Sequence, residues 1–262
     1  MLAGVSTDYY AKLERGNLAG VSDSVIEAIA GALRLDEAEH AHLRDLAAAA
    51  NATPHARKTA APARTVRPGV QRILDGMPGL PAFVRNARLD ILAINQLGTA
   101  LYAPVFDDPQ RPANLARFNF LDARALDFYP NWDDAANTSV ALLRTEAGRN
   151  PFDRGLTDLV GELVTRSETF RHRWAAHNVR LHRSGTKHFR HPVVGDLDLA
   201  FEAMDLSADT GLTLTVYSAE PDSSSADGLS LLASWAATQA APTPPQTVMR
   251  TSAAREGNDS DA

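Results

Sequence analysis

The stretch that decides the fold is NVRLHRSGTKHFRHPVVGDLDLAFEAMDLSADTGLTLTVYSA, residues 178–219. Three β-prone runs alternate there with turn chemistry: 178–183, 188–192 continuing through 198–206, and 212–219. Ser184-Gly185-Thr186-Lys187 supplies the first reversal, and Ser207-Ala208-Asp209-Thr210-Gly211 a longer second one. Links this short join only antiparallel neighbours, so the sheet is expected to be antiparallel.

Further toward the N-terminus, residues 82–86 (AFVRN) and 90–94 (DILAI) are two more short β-prone runs, separated by Ala87-Arg88-Leu89 in the manner of a hairpin. Between the two sets of strands, helical stretches fall near 96–102, 112–121, 132–147 and 153–176, and a last helix over 228–237 carries Leu229, Leu232, Ala233 and Trp235. The expected class is therefore α+β, with an antiparallel sheet flanked by helices over residues 69–238. Past it, residues 239–262 are Pro-, Ser- and Asp-rich with little apolar surface, and are expected to be disordered.

Residues 1–50 read as a small all-α unit. Ser6 caps a short helix that ends at Arg15 before Gly16-Asn17, and within it Tyr9 and Leu13, four apart, face inward. Ser24 with Glu27 reads as a capping box for a second helix whose apolar face is Ile26, Ile29, Ala30 and Leu33. Asp36 with Glu39 repeats the box before a third helix faced by Leu43, Leu46 and Ala47. Residues 51–68 change character: Pro54, Pro62 and Pro68 are set among Ala and Thr, and Arg57, Lys58, Arg64 and Arg67 stand without an acid. This is a basic linker.

Composition bounds the chemistry. The chain has 262 residues, a net charge of -6, 44% hydrophobic residues and no cysteine. Thiolate metal sites, disulfides and cysteine nucleophiles are excluded. Neither a membrane span nor a signal peptide is evident, so the expected address is the cytoplasm. Residues 1–50 hold 4 bases and 8 acids, a net of -4, so attraction to DNA is not a property of the whole chain.

In a helix-turn-helix, a Gly permits the tight reversal and a Ser caps the helix that enters the major groove. Leu2-Ala3-Gly4-Val5-Ser6 supplies that order, placing Ser6, Thr7, Asp8, Tyr10 and Lys12 toward base edges and Arg15 toward a phosphate. The same text also suits an ordinary capped helix in some other domain. Of the histidines, His188 and His191 are three apart on a strand and point to opposite faces, and His172 and His177 are five apart on a helix, so no metal site is expected. There is no Gly-x-Ser-x-Gly elbow and no His-Glu-x-x-His, and Gly76-Met77-Pro78-Gly79 lacks a P-loop ending. The chain is not expected to be an enzyme.

Residues 2–16 and 24–43 resemble the second half of an XRE-type helix-turn-helix domain, opening at what corresponds to the end of its second helix. Downstream, Asn119-Phe-Leu-Asp122, Tyr129-Pro-Asn-Trp132, Leu159-Val-Gly-Glu-Leu163, Trp174-Ala-Ala-His177, Gly185-Thr-Lys187, His191-Pro-Val-Val-Gly195 and Val216-Tyr-Ser-Ala-Glu-Pro221 resemble MmyB-like transcription regulators. The resemblance implies a shortened DNA-binding domain joined to a PAS-like domain that binds a fatty-acid-like molecule, with no other cofactor.

A ligand carboxylate away from water needs a cation or several donors. Arg144, Arg166, Arg171, Asn86 and Asn95 are candidates, with His177 and Arg144 favoured for the polar end, and Phe83, Ile94, Leu143, Trp174 and Phe201 for the apolar wall. For Phe170, a place in an aromatic core stripe is the simpler expectation. The function expected is a ligand-responsive, DNA-binding transcriptional regulator. A homodimer would match a two-fold operator. The alternative is a lipid-binding or carrier protein that no longer reads DNA.

Overall fold

The computed structural model of the protein describes residues 6–17, 20–51, 65–176 and 184–240. The sequence expectations for most of the linker, for the tail beyond 240, for the strand at 178–183 and for His177 and His182 fall outside the described residues.

Among the described residues five strands form one antiparallel sheet: β1 (Ala82–Asn86), β2 (Ile91–Ile94), β3 (Ser184–His191), β4 (Gly195–Asp205) and β5 (Leu212–Ser218), in the order β2-β1-β5-β4-β3. The chain thus enters the sheet at β1, next to one edge, leaves from the β2 edge and returns at the far edge with β3, and helices fill the excursion. This is the expected PAS-like α+β arrangement. The hairpin β1–β2 forms as its sequence suggests, turning through Leu89 at φ 66°. A branched-at-γ residue in the left-handed region is strained by about 1–2 kcal/mol, and burial of its side chain in a core cluster holds it there.

The outer sheet face is covered by α4 (Pro68–Asp75), whose Val70 and Leu74 pack on Ala82, Val84, Leu212 and Leu214. Pro68, read as the end of a linker, is instead the first helical residue, where its missing N–H is no loss. On the inner face lie α5 (Gln96–Leu101), α6 (Ala103–Phe106), α7 (Leu115–Leu121), α8 (Arg124–Phe128), α9 (Trp132–Arg149), α10 (Arg154–Arg166), α11 (Glu168–Ala175) and α12 (Ser224–Ala240). Between the sheet and α5, α7, α8 and α12 lies the main core. A second core, centred on Leu143, Leu163 and Phe170, lies behind α9.

The one long helix expected over 153–176 is two. Ser167 has extended φ/ψ (-128°, 110°), donates its N–H to Leu163 and accepts from the Phe170 N–H through its hydroxyl, ending α10 and capping α11. A second difference lies at Ser184-Gly185-Thr186-Lys187, which forms the first half of β3 instead of a turn. Gly185 pairs with Phe201 at φ 154°, and a Cβ there would stand 3.3 Å from the Phe201 ring. The glycine that reads as a reversal makes room for an aromatic side chain across the strand, and the chain reverses at 192–194 instead.

The N-terminal helices are α1 (Thr7–Glu14), α2 (Asp23–Leu33) and α3 (Glu37–Asn51). Ser6 caps α1 by accepting from the Tyr9 N–H at 3.2 Å, and Tyr9 and Leu13 pack on Val21, Ile26 and Ala47. The Asp36–Glu39 box forms in both directions, at 2.9 and 2.8 Å. The Ser24–Glu27 box does not: α2 starts two residues earlier, with Ser22 as its N-cap, and Glu27 faces His40 and Arg44 of α3. Leu33 is 52% exposed and Leu46 is also on the surface, so the buried faces are narrower than their periodicity suggests. The third helix docks on the C-terminal half of α9, where Arg149 Nε donates to Asp45 at 2.9 Å and the His42 ring fills the space beside Gly148.

Candidate functional site

A cavity of about 290 Å³ lies between the inner face of the sheet and the helical layer. The sheet contributes Phe83 and Arg85 from β1, Thr215 and Tyr217 from β5, Phe201 from β4 and Lys187 from β3. Alternation along each strand places them: Phe83 and Arg85 are two apart, as are Thr215 and Tyr217, so each pair shares the inner face. The helical wall is Tyr102 at the end of α5, Leu115 and Asn119 of α7, Tyr129 after α8, and Ala135, Ser139 and Leu142 of α9. Its volume is near the lower end of small-molecule pockets.

The family-like motif residues hold this wall in place. The Trp132 indole donates to the Asn119 carbonyl at 2.9 Å, and Asn119 Nδ2 donates to Ser139 Oγ at 2.7 Å, tying α7 to α9. Asn119 Oδ1 is buried with no hydrogen-bond partner. The Tyr102 and Tyr217 hydroxyls are 2.6 Å apart, and the Tyr129 hydroxyl is buried beside them. His191, on the same strand face as Lys187, places Nε2 3.0 Å from the Ala100 carbonyl and accepts from the Val193 N–H at Nδ1, so Nε2 is the protonated nitrogen.

Electrostatically the cavity is cationic. Arg85 is only 9% exposed, its one side-chain hydrogen bond among the described residues is to the Asn86 carbonyl at 3.4 Å, and burial lowers its pKa. The Lys187 ammonium lies over the Tyr129 ring at 4.3 Å, with Phe189 and Tyr102 at 5.6 and 5.9 Å. Desolvation, and then the positive charge of Arg85, push its pKa down to about 7. Burial raises all three tyrosines, Tyr217 to about 12, so at neutral pH none supplies a negative charge. Asp134, the acid on the lining, is exposed at the rim.

Of the residues expected to bind ligand, Phe83 and Phe201 line this cavity. Ile94 packs against the main core beside it. Leu143, Arg144 and Trp174 do not reach it: they face the second core behind α9, where the Arg144 guanidinium stacks on Trp174 at 4.4 Å and Trp174 stacks on Phe170 at 5.5 Å. Arg144 Nε and Nη2 are buried without a hydrogen-bond partner. Asn86 is turn scaffolding, its Oδ1 accepting from the Arg88 and Asp90 N–H groups at 2.9 and 3.0 Å. Asn95 caps α5, Arg166 pairs with Glu162, and Arg171 with Glu168. Lys187 lay hidden in an expected turn, and the inward position of Arg85 was available from its two-residue spacing to Phe83.

At the other end, Ser6, Thr7, Asp8, Lys12 and Arg15 are exposed and Tyr10 is half-buried, with the Ser6 hydroxyl engaged as a cap. A smaller hollow of about 100 Å³ beside Arg117 and Arg166 is less suited to a charged ligand, because both arginines already pair with Glu162. Among the described residues no group of three His, Asp or Glu converges on a metal-sized space, and no helix is long and apolar enough to cross a membrane.

The fold and cavity define a PAS-like α+β domain with an internal pocket, carrying a small helical unit. Residues 66–232 match the MmyB-like transcription regulator ligand binding domain, and the chain belongs to that family. No curated protein matches the chain.

Proposed function

We propose that the protein is a DNA-binding transcriptional regulator, acting by binding and not by catalysis in the cytoplasm, whose PAS-like domain senses a fatty-acid-like small molecule. The observation carrying this reading is the position of α9. The first three turns of that helix wall the cavity through Ala135, Ser139 and Leu142, and its C-terminal end receives α3 of the N-terminal unit. A ligand that favours one placement of α9 would thereby bias the N-terminal helices, or a dimer built on them, on DNA. Ser6, Thr7, Asp8, Tyr10, Lys12 and Arg15 are the residues proposed to meet DNA.

The acid excess of residues 1–50 favours a second reading, a lipid-binding protein that does not recognise an operator. Mobility shift of promoter DNA at controlled salt separates the two. A regulator gives a complex that survives non-specific competitor and responds to ligand. A complex that disappears on neutralising Arg57, Lys58, Arg64 and Arg67 is phosphate attraction through the linker, and with lipid recovered from the purified protein supports the carrier.

A further inference from the structure

The cavity lining contains two cations and, among the described residues, no carboxylate paired with either. Buried charge is ordinarily paired, because desolvation without a partner is costly. Arg85 is about nine-tenths buried with five N–H donors and a single long hydrogen bond. The Lys187 ammonium has three donors, and its described neighbours offer it ring faces, which compensate only part of its lost hydration. Asp205 and Glu146 act on Arg85 as charges at a distance, without an ion pair.

We propose that Lys187 and Arg85 receive the acidic group of the ligand, so that the sensor admits a carboxylate-bearing amphiphile and refuses the neutral compound of the same shape. The proposal rests on the cavity being the ligand site. A carboxylate entering beside them supplies the missing acceptor to donors already in place, while the chain beyond it meets Phe83, Leu115, Leu142 and Phe201. At Lys187 the charge felt is the positive one of Arg85. Tyr102 and Tyr129 from the helical layer and Tyr217 from β5 stay neutral, Arg85 from β1 adds positive charge, Asp134 of α9 stands at the exposed rim, and His188, which also lines the cavity, is paired with Asp198. Arg144, the other buried guanidinium without hydrogen-bond partners, faces the second core and takes no part.

Binding is then linked to a proton. Free Lys187 titrates near 7, and an adjacent carboxylate holds the proton on, so affinity for the anion is full below pH 7 and falls by up to about tenfold per unit above it.

The test is competition of decanoate and decan-1-ol for a fluorescent apolar dye bound to the full chain, at pH 6.5 and pH 9. Decanoate is expected to bind about tenfold or more tightly than decanol at pH 6.5, to weaken at pH 9, and to lose its advantage in Lys187→Met and in Arg85→Gln but not in Arg144→Gln. Lys187→Arg should keep the preference and lose the pH dependence. Equal affinity of the two probes for the unmodified chain would overturn the acid receptor and leave the cavity reading standing. A preference that survives both Lys187→Met and Arg85→Gln, or disappears in Arg144→Gln, would overturn it as well. Failure of both probes to displace the dye would overturn the cavity reading itself.

Discussion

A lysine without an acid partner in an aromatic cavity is a site of ligand affinity and of stored instability at once. Between pH 7 and 10.5 the unfolded chain holds a proton on Lys187 that the folded chain has released, so this residue makes stability increase with pH over that window. Unliganded protein is therefore expected to gain melting temperature between pH 7 and 9. In Lys187→Met the gain should flatten and the value at pH 7 should rise, because a desolvated charge is replaced by a side chain of similar length. A lower melting temperature for Lys187→Met at pH 7 in calorimetry would show that the ammonium is solvated or paired in solution. At this scale the sequence was half legible. Phe83 and Phe201 declared themselves as apolar residues on strands. Arg144 and Trp174 misled, since a helix has two buried faces here and periodicity does not say which core each one meets. Arg85 and Lys187 escaped because charge alone reads as solvent-facing.

Elements are held by a few polar residues whose removal has effects out of proportion to their size. Asn95 is 4% exposed, and its Oδ1 accepts from the Ala82 and Gly98 N–H groups at 3.1 and 2.7 Å while its Nδ2 donates to the Leu80 and Met77 carbonyls at 2.7 and 2.9 Å. One side chain thus joins the approach to β1, the end of β2 and the start of α5. Asn95→Ala leaves several buried backbone groups unpaired and should cost about 3 kcal/mol or more, measurable by urea unfolding; a loss below about 1 kcal/mol would mean that water replaces it. A different effect is expected at the docking of α3 on α9. A Cβ on Gly148 would stand 2.6 Å from the His42 ring, so Gly148→Ala displaces that ring while leaving α9 helical and the cavity wall unchanged. Ligand affinity should hold and the ligand's effect on DNA binding should fall; an undiminished response would show that α9 is not the route. Hairpins, caps and helix positions were readable locally in this layer, as with Asp36–Glu39 and β1–β2. The break at Ser167 and the strand through Gly185 were not. Each depends on a partner distant in space, the second core for the one and Phe201 for the other.

Over the whole molecule, apolar burial is divided unequally. Three clusters secure residues 66 to 236, whereas the N-terminal helices share a fourth built on Val21, Ile26 and Ala47 with Tyr9, Val25, Leu13 and Leu43 around it. So small a core is marginal by itself, and its described tie to the sensor is the α3–α9 contact with one exposed ion pair, Asp45–Arg149, of a kind contributing about 0–1 kcal/mol. Calorimetry of the full chain should therefore resolve two transitions, the lower one belonging to the N-terminal helices. A ligand present at about a hundred times its Kd stabilises the domain that binds it by about 2.7 kcal/mol, so decanoate should raise the upper transition. Whether the lower one follows measures the coupling directly: a shift means that the occupied sensor holds α3 more firmly, and a lower transition indifferent to ligand means that the two parts share a chain without sharing a signal. A single transition moving as one with ligand would instead show that the α3–α9 contact unites the described helices and sheet into one cooperative unit, and that the small fourth cluster is stronger than its area implies.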